Sequence, residues 1–187
     1  MCDTPAPSAA APLRAYFAKN GILLCNENKF LPSLDTVGGD WNAIVYLIEQ
    51  GEVFYSKLYR GRVSYLSREF YYQVKPYRQK LEAVSEGARQ VYAFVETAGL
   101  TTSVDIKNML MLSGKAFNEC MDELFSQLLV TAVKRERTMN PNWSSFCWGT
   151  YARWEERAGV PTRPPDESAA RGMLALLTER DIRKLLG

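Results

Sequence analysis

Hydrophobic residues recur at helical spacing over residues 41–50, behind a favourable N-cap, Asp40, and ahead of Gly51, which suits the position after a helix end. From residue 52 the pattern changes to alternation, which predicts a strand. The elements predicted in this half are a short helix over 13–19, the helix over 41–50, a strand over 52–58, a tight turn at Arg60-Gly61, a strand over 63–66 and a helix from Ser67 to about residue 75.

The second half of the chain repeats this order of elements. Thr102 and Ser113 suit the N-caps of two helices, and Gly99 suits the end of the helix before them. Helical spacing places the following apolar residues inside: Ile106, Met109, Leu110, Phe117, Cys120, Met121, Leu124 and Leu128. The predicted elements are helices over 86–97, 103–110 and 114–128, a strand over 129–134, a turn over 135–142 and a returning strand over 145–148.

Helices followed by a two-stranded hairpin are typical of a winged helix-turn-helix, and both halves fit that order. The predicted fold is mainly α with short β-hairpin wings, an α+β class, built from tandem winged helix-turn-helix units. The predicted parts are a flexible leader over 1–20, a first winged-helix-like unit over 21–80, a second winged helix-turn-helix over 81–158, and a linker and C-terminal amphipathic helix over 159–187. The last helix would use its apolar residues to pack on the body or on a second chain: Met173, Leu174, Leu177, Ile182 and Leu185.

The chain of 187 residues contains no histidine, which excludes Ser-His-Asp and Cys-His catalysis, histidine metal centres and imidazole proton transfer. Hydrophobic content of 47% and charged content of 24% are those of a soluble globular protein. No apolar run reaches the length of a membrane span, and the N-terminus lacks the pattern of a secretory signal. The four cysteines lie far apart without a CxxC pair, which favours free thiols in a cytoplasmic protein with no metal and no cofactor.

Positive charge is concentrated in two stretches, although the net charge is only +2. Residues 57–80 hold seven cations and one acid, interleaved with aromatic residues, a mixture that suits contact with phosphates and stacking on bases. The second stretch is the basic segment over 134–142. We therefore predict nucleic-acid contacts, with DNA as the partner, from Lys57, Arg60, Arg62, Arg68, Arg78, Lys134, Arg135, Arg137 and Asn142. A solvated basic face without a ligand is the alternative that these patterns leave open.

The third helix of the second half is poorly suited to insertion into a major groove. Its predicted exposed face carries three acids, Glu119, Asp122 and Glu123, beside Lys115. Carboxylates can accept a hydrogen bond from cytosine, but three of them would repel the phosphate backbone. Any contact with DNA is therefore expected from the hairpins and from residues 57–80.

Two clusters could support acid–base or nucleophilic chemistry, and each has a simpler interpretation. Glu155-Glu156 fits a solvated charge pair at a helix end, and Tyr71-Tyr72 beside Arg68 fits a packed aromatic face. The sequence contains no P-loop, no dinucleotide-binding glycine motif after a strand, and no metal-ligand cluster. The residues therefore favour a binding protein over an enzyme.

Residues 57–66, which read KLYRGRVSYL, and the short helix after them resemble a segment of AlkZ-like DNA glycosylases in which an Arg-Gly-Thr turn precedes an apolar strand. The later helix, hairpin and Trp148-Gly149-Thr150 stretch are similar to the downstream winged helix of that family. The resemblance covers about residues 38–157. It implies tandem winged-helix units that cradle DNA, and cleavage of the glycosidic bond of alkylated or crosslinked bases.

Two features depart from that family. Its active-site pattern is Gln, an apolar residue, and then Gln or Asp, whereas this chain has Leu31-Pro32-Ser33-Leu34 and Asp35 in the corresponding region. Arg62 stands where the family's turn has Thr. The leading hypothesis is a small AlkZ-related protein that binds DNA without catalysis. The alternatives are a residual DNA glycosylase working through Asp35 or a nearby carboxylate, and a winged-helix protein-interaction module that dimerises through its C-terminal helix.

Overall fold

Short helices and two small antiparallel sheets alternate along the chain in the computed structural model, which describes residues 7–140, 143–159 and 177–186. The fold is a mixed α+β arrangement in which helices predominate, as the sequence predicts. None of the helices in the described ranges is long and apolar enough to cross a membrane.

Most elements of the first half follow the local sequence signals, but the short strand at Ile22–Leu24 was not predicted. Its elements are α1 (Ala10–Phe17), β1 (Ile22–Leu24), α2 (Trp41–Glu49), β2 (Val53–Tyr59), β3 (Arg62–Ser67) and α3 (Arg68–Val74), with a 3-10 turn at Asp35–Val37 and two more at Lys75–Tyr77 and Leu81–Ala83. Asp40 caps α2 by accepting a hydrogen bond from the Ala43 N–H at 2.8 Å, and Ser67 caps α3 by accepting from the Phe70 N–H at 3.1 Å. The strands form an antiparallel sheet in the order β1-β3-β2.

The predicted tight turn between β2 and β3 is confirmed. Arg60 and Gly61 both have positive φ angles, 52° and 67°, which is the backbone of a type I′ hairpin turn. Tyr59 and Arg62 pair directly on either side of it. Because glycine adopts this conformation without strain, Gly61 fixes the two-residue turn and places Arg60 at its tip.

The second half has the same order of elements, with an α-helix in the place of the 3-10 turn at Asp35–Val37. They are α4 (Glu86–Ala98), β4 (Thr101–Thr102), α5 (Ser103–Met109), α6 (Gly114–Ser126), β5 (Val130–Asn140), β6 (Trp143–Thr150) and then α7 (Tyr151–Ala158). Thr102 and Asp105 form a reciprocal capping box at the start of α5, and Ser113 caps α6. The sheet order is β4-β6-β5, so each half places its short first strand beside the last strand of its hairpin.

Two details of the second half differ from the sequence predictions. The predicted turn over 135–142 is wrong, because β5 continues to Asn140 and pairs with β6 along its length. Backbone pairing extends this hairpin beyond the core, where charged residues give no hydrophobic alternation to detect. Met109, predicted to lie inside, is 67% exposed, since α5 ends at this residue and Ile106 is the residue of that helix that enters the core.

Each half packs the helix that precedes its hairpin against the hairpin of the other half. Helix α2 lies along the second hairpin, where the Trp41 Nε1–H donates to the Ser144 hydroxyl at 3.2 Å. Helix α6 packs against β2, with the rings of Phe125 and Tyr55 5.1 Å apart. Between the two hairpins, the Thr131 hydroxyl bonds both the N–H and the C=O of Tyr55, at 3.0 and 2.9 Å. One hydrophobic core therefore contains residues of both halves.

The described end of the chain packs on the first half. Helix α8 (Glu179–Leu186) lies against β2, and Leu177 and Ile182 join a second hydrophobic cluster that contains Phe54 and Trp154. Other parts of the sequence predictions lie outside the described residues: positions 1–6 of the leader, the linker beyond Gly159, Met173 and Leu174, and the side chain of Leu185.

Candidate nucleic-acid interface

The outer part of the second hairpin carries predicted DNA-binding residues on an ordered strand. Lys134 and Arg137 are exposed on β5, and Arg135 is half-buried. The Arg135 N–H donates to the Glu49 carboxylate at 3.0 Å, which fixes the strand against the end of α2. The Arg135 guanidinium donates to the Thr138 hydroxyl at 3.1 Å, so it lies along the strand. The hairpin thus presents three cations on a backbone that is held by pairing.

A fourth cation, which the sequence analysis missed, adjoins this hairpin. Arg157 of α7 is exposed, and its guanidinium donates to the carbonyl of Val133 at 3.0 Å, beside Lys134 in the chain. The signal in the sequence was the spacing of Arg153 and Arg157, which places two arginines on one face of the helix after the hairpin. We call Lys134, Arg135, Arg137 and Arg157 the hairpin patch. Glu136 is an exposed acid within it.

The arginine at the tip of the first hairpin is already engaged by a carboxylate. The Arg60 guanidinium donates to the two oxygens of Asp181 in α8 at 3.0 and 3.1 Å, and the Tyr59 hydroxyl donates to Asp181 at 3.2 Å. The guanidinium also lies 4.1 Å from the centre of the Phe30 ring. Asp181 is only 3% exposed, so Arg60 anchors the C-terminal helix in this state of the protein.

The carboxylate of Asp181 is stabilised in its charged form. Burial alone would raise its pKa, but hydrogen bonds from Thr178, Arg60 and Tyr59 outweigh burial, and the pKa is lowered. A group with a lower pKa in the folded state contributes stability above its ordinary pKa, and that contribution is lost as the pH falls through the lowered value. The contact is therefore fully charged at neutral pH.

Replacing Asp181→Asn is expected to reduce the free energy of unfolding by about 1–2 kcal/mol at pH 7, because Arg60 loses its anionic partner but stays in contact with water. Urea unfolding from pH 7 down to about pH 3 measures this. The difference between wild type and variant should be constant near neutrality and shrink in acid. Glu179→Gln, at an exposed position of the same helix, is the matched control and should be neutral. If the difference in the free energy of unfolding between wild type and Asp181→Asn stayed the same in acid, the charged contact would be contradicted.

The other predicted cations of the first half differ in their exposure. Lys57 forms an ion pair with Asp122 of α6 at 2.5 Å, which joins the two halves. Arg62 is exposed beside the turn, whereas Arg68 and Arg78 are half-buried, and burial lowers the pKa of Arg78. Arg62 is therefore the predicted DNA ligand of this group that is most open to solvent. Asn142, which was predicted with the second group, lies outside the described residues.

The two clusters considered for catalysis are tied into packing. The Tyr71 hydroxyl donates to Glu155 at 2.6 Å, and Lys75 forms an ion pair with the same carboxylate. Burial, and then Glu155, raise the pKa of Tyr71 well above its ordinary value, so this phenol is not activated as a nucleophile. Glu156 and Asp35 are exposed.

Cysteines and acids give no metal centre within the described ranges. Cys25, Cys120 and Cys147 are free thiols. No three His, Cys, Asp or Glu residues lie close enough together there to hold a metal ion. The chemistry available around the hairpin patch is therefore that of cationic side chains and backbone groups, which bind anions such as phosphates.

A sequence profile of the AlkZ-related family matches residues 33–180, which includes both hairpins and the helices between them. The chain belongs to the AlkZ-related family. Membership confirms the resemblance seen in the KLYRGRVSYL segment and points to a DNA-related function. Comparisons with curated proteins and with solved structures gave no match.

Proposed function

We propose that this AlkZ-related chain binds duplex DNA without catalysis, through tandem winged-helix units whose hairpins contact the phosphate backbone. The observation that carries the proposal is the second hairpin, which extends beyond the core with Lys134, Arg135 and Arg137 on one strand and Arg157 beside it. Cations on an extended hairpin can follow a phosphate backbone or a minor groove. Family membership supports DNA as the polyanion.

The order of elements supports the winged-helix part of the proposal. Each half has helices, a short strand and a hairpin, and the sheets have the corresponding orders β1-β3-β2 and β4-β6-β5. In such units the helix before the hairpin usually enters the major groove. Here α2 lies against the second hairpin and α6 against β2, so both helices have part of their surface covered. Binding is therefore assigned to the hairpins.

The non-catalytic part of the proposal has two supports. The Gln, apolar, Gln or Asp pattern of AlkZ-like glycosylases is absent from the corresponding stretch Leu31-Pro32-Ser33-Leu34. The carboxylate of Glu155 accepts a hydrogen bond from the buried Tyr71 phenol and forms an ion pair with Lys75. These groups hold α3 and α7 together, which is a structural role.

Fluorescence anisotropy with a labelled duplex tests the proposal. Four phosphate contacts give a slope of log K against log salt of about −3.6, so affinity should fall roughly 150-fold between 50 and 200 mM salt. Incubation with a duplex containing an alkylated purine should release no base. A duplex that fails to bind at 50 mM salt, or binds with no salt dependence, would rule out the hairpin mode. Release of the alkylated base would rule out the non-catalytic part of the proposal.

A further inference from the structure

A cavity of about 450 Å³ lies where the two halves meet, between α2, β2 and β3 on one side and α5, α6 and β6 on the other. Its walls carry six aromatic rings: Trp41, Tyr55, Phe117, Phe125, Phe146 and Trp148. The volume is in the range of pockets that take small organic molecules. The proposed DNA-binding function uses none of these rings.

The aromatic walls are held in place by contacts with one another and by hydrogen bonds. The indole N–H of Trp41 donates to the Ser144 hydroxyl at 3.2 Å, and that of Trp148 donates to the Ser103 hydroxyl at 2.8 Å. The Trp148 ring lies 5.0 Å from that of Phe125, centre to centre. Fixed rings lose little conformational freedom when a flat molecule enters, so the cavity is pre-organised for stacking.

The polar groups of the cavity favour an uncharged ligand. Its two charged residues, Lys57 and Asp122, form an ion pair with each other and leave no net charge in the lining. Ser103 and Ser144 each accept from an indole and keep a hydroxyl proton to donate, and the amide of Asn118 supplies both a donor and an acceptor. A ligand with neutral ring N–H and C=O groups matches this set.

We propose that this cavity binds a free, uncharged, planar heteroaromatic molecule of two or three fused rings. The rings of the ligand stack between aromatic side chains from the two halves, and its polar edge bonds the serine hydroxyls and the Asn118 amide. Such a ligand contacts both halves at once and joins them more firmly. This inference does not depend on DNA binding, because it rests on a different surface.

The cysteines provide a residue-specific test. Cys25 is part of the cavity lining, whereas Cys147 is half-buried elsewhere on β6 and serves as an internal control. Burial raises the pKa of both thiols, so alkylation with iodoacetamide is followed at mildly alkaline pH by peptide mass spectrometry. The probes are phenanthridinone and 2-quinolinone, which are flat neutral lactams of three and two fused rings. Octahydro-2-quinolinone has the same lactam without aromatic rings.

Phenanthridinone or 2-quinolinone at ten times its Kd should slow alkylation of Cys25 about tenfold, because only the free protein reacts, and should leave the alkylation of Cys147 unchanged. The saturated lactam should protect far less. No protection of Cys25, equal slowing at both cysteines, or equal protection by the saturated lactam would each overturn the proposal. Protection by a single-stranded oligonucleotide but by neither aromatic lactam would also overturn it.

A pair of matched variants locates the site. Asn118 lies on α6 at the cavity, so Asn118→Trp places a ring in its mouth and should abolish protection of Cys25. Asn108→Trp makes the same change at an exposed position outside the lining and should retain protection. Both positions are exposed, so both variants should melt like the wild type. Full protection in Asn118→Trp would show that the ligand binds elsewhere.

Discussion

The triple variant Lys134→Ala, Arg135→Ala, Arg137→Ala is expected to bind duplex DNA roughly 500-fold more weakly than the wild type at 0.1 M salt. Each phosphate contact contributes about 0.9 to the slope of log K against log salt. From 1 M to 0.1 M salt, one decade, each contact therefore raises the affinity about eightfold, and three contacts raise it roughly 500-fold. The variant's slope should therefore be shallower by about 2.7. Anisotropy titrations at several salt concentrations measure both quantities.

The variant should fold normally, so a loss of binding can be assigned to the lost charges. Lys134 and Arg137 are exposed, and the hydrogen bond from residue 135 to Glu49 uses the backbone N–H, which alanine keeps. The matched control is the triple Lys19→Ala, Lys29→Ala, Arg180→Ala, which removes equal charge at exposed positions away from the hairpin patch. An equal loss of DNA affinity in both triple variants would mean that binding depends only on net charge. Unchanged affinity in the hairpin triple would contradict the proposed interface.

Local signals in the sequence predicted most of the elements. Asp40, Ser67 and Ser113 cap their helices as expected, because capping involves a side chain and a backbone group three residues away. The Arg60-Gly61 turn was predictable for the same reason, because two residues in the left-handed conformation suffice to reverse the chain. The order of elements along the chain followed from these boundaries.

Contacts between distant residues could not be read from the same signals. Arg60 was predicted to contact DNA, but its carboxylate partner is Asp181, 121 positions later. Asp122 is exposed as predicted, but its ion pair with Lys57 of the other half was not predicted. Helical periodicity gives the face that turns inward within one unit, whereas the packing of two units decides which outer faces are then covered.

At the candidate site, too, local signals were predictive and contacts between distant residues were not. The sequence identified Lys134, Arg135 and Arg137 because they lie close together in the chain, but it placed Arg135 and Arg137 in a turn where the structure has a strand. Arg157 was missed because its proximity to Val133 depends on the docking of α7 against β5. The aromatic cavity was missed for a related reason, since its rings come from elements of both halves.

The position of α7 depends on Trp154, which is fully buried between the two halves. Its indole packs edge-on against Phe54 of β2 at 5.1 Å and against Tyr71 of α3 at 4.9 Å, centre to centre. The indole N–H donates to the carbonyl of Val53 at 3.3 Å. Helix α7 also carries Arg157 of the hairpin patch, so this packing positions one of the cations proposed to bind DNA.

Trp154→Ala is expected to lower the free energy of unfolding by about 4 kcal/mol, because it leaves a cavity beside the rings of Phe54 and Tyr71 and removes a hydrogen bond. Thermal unfolding followed by circular dichroism should show a midpoint roughly 10 °C lower. Tyr77→Ala, at an exposed aromatic position, is the control and should change the free energy by less than about 0.5 kcal/mol. A loss in Trp154→Ala as small as in this control would mean that α7 is not anchored by the indole, and Arg157 would then have no fixed place beside the hairpin.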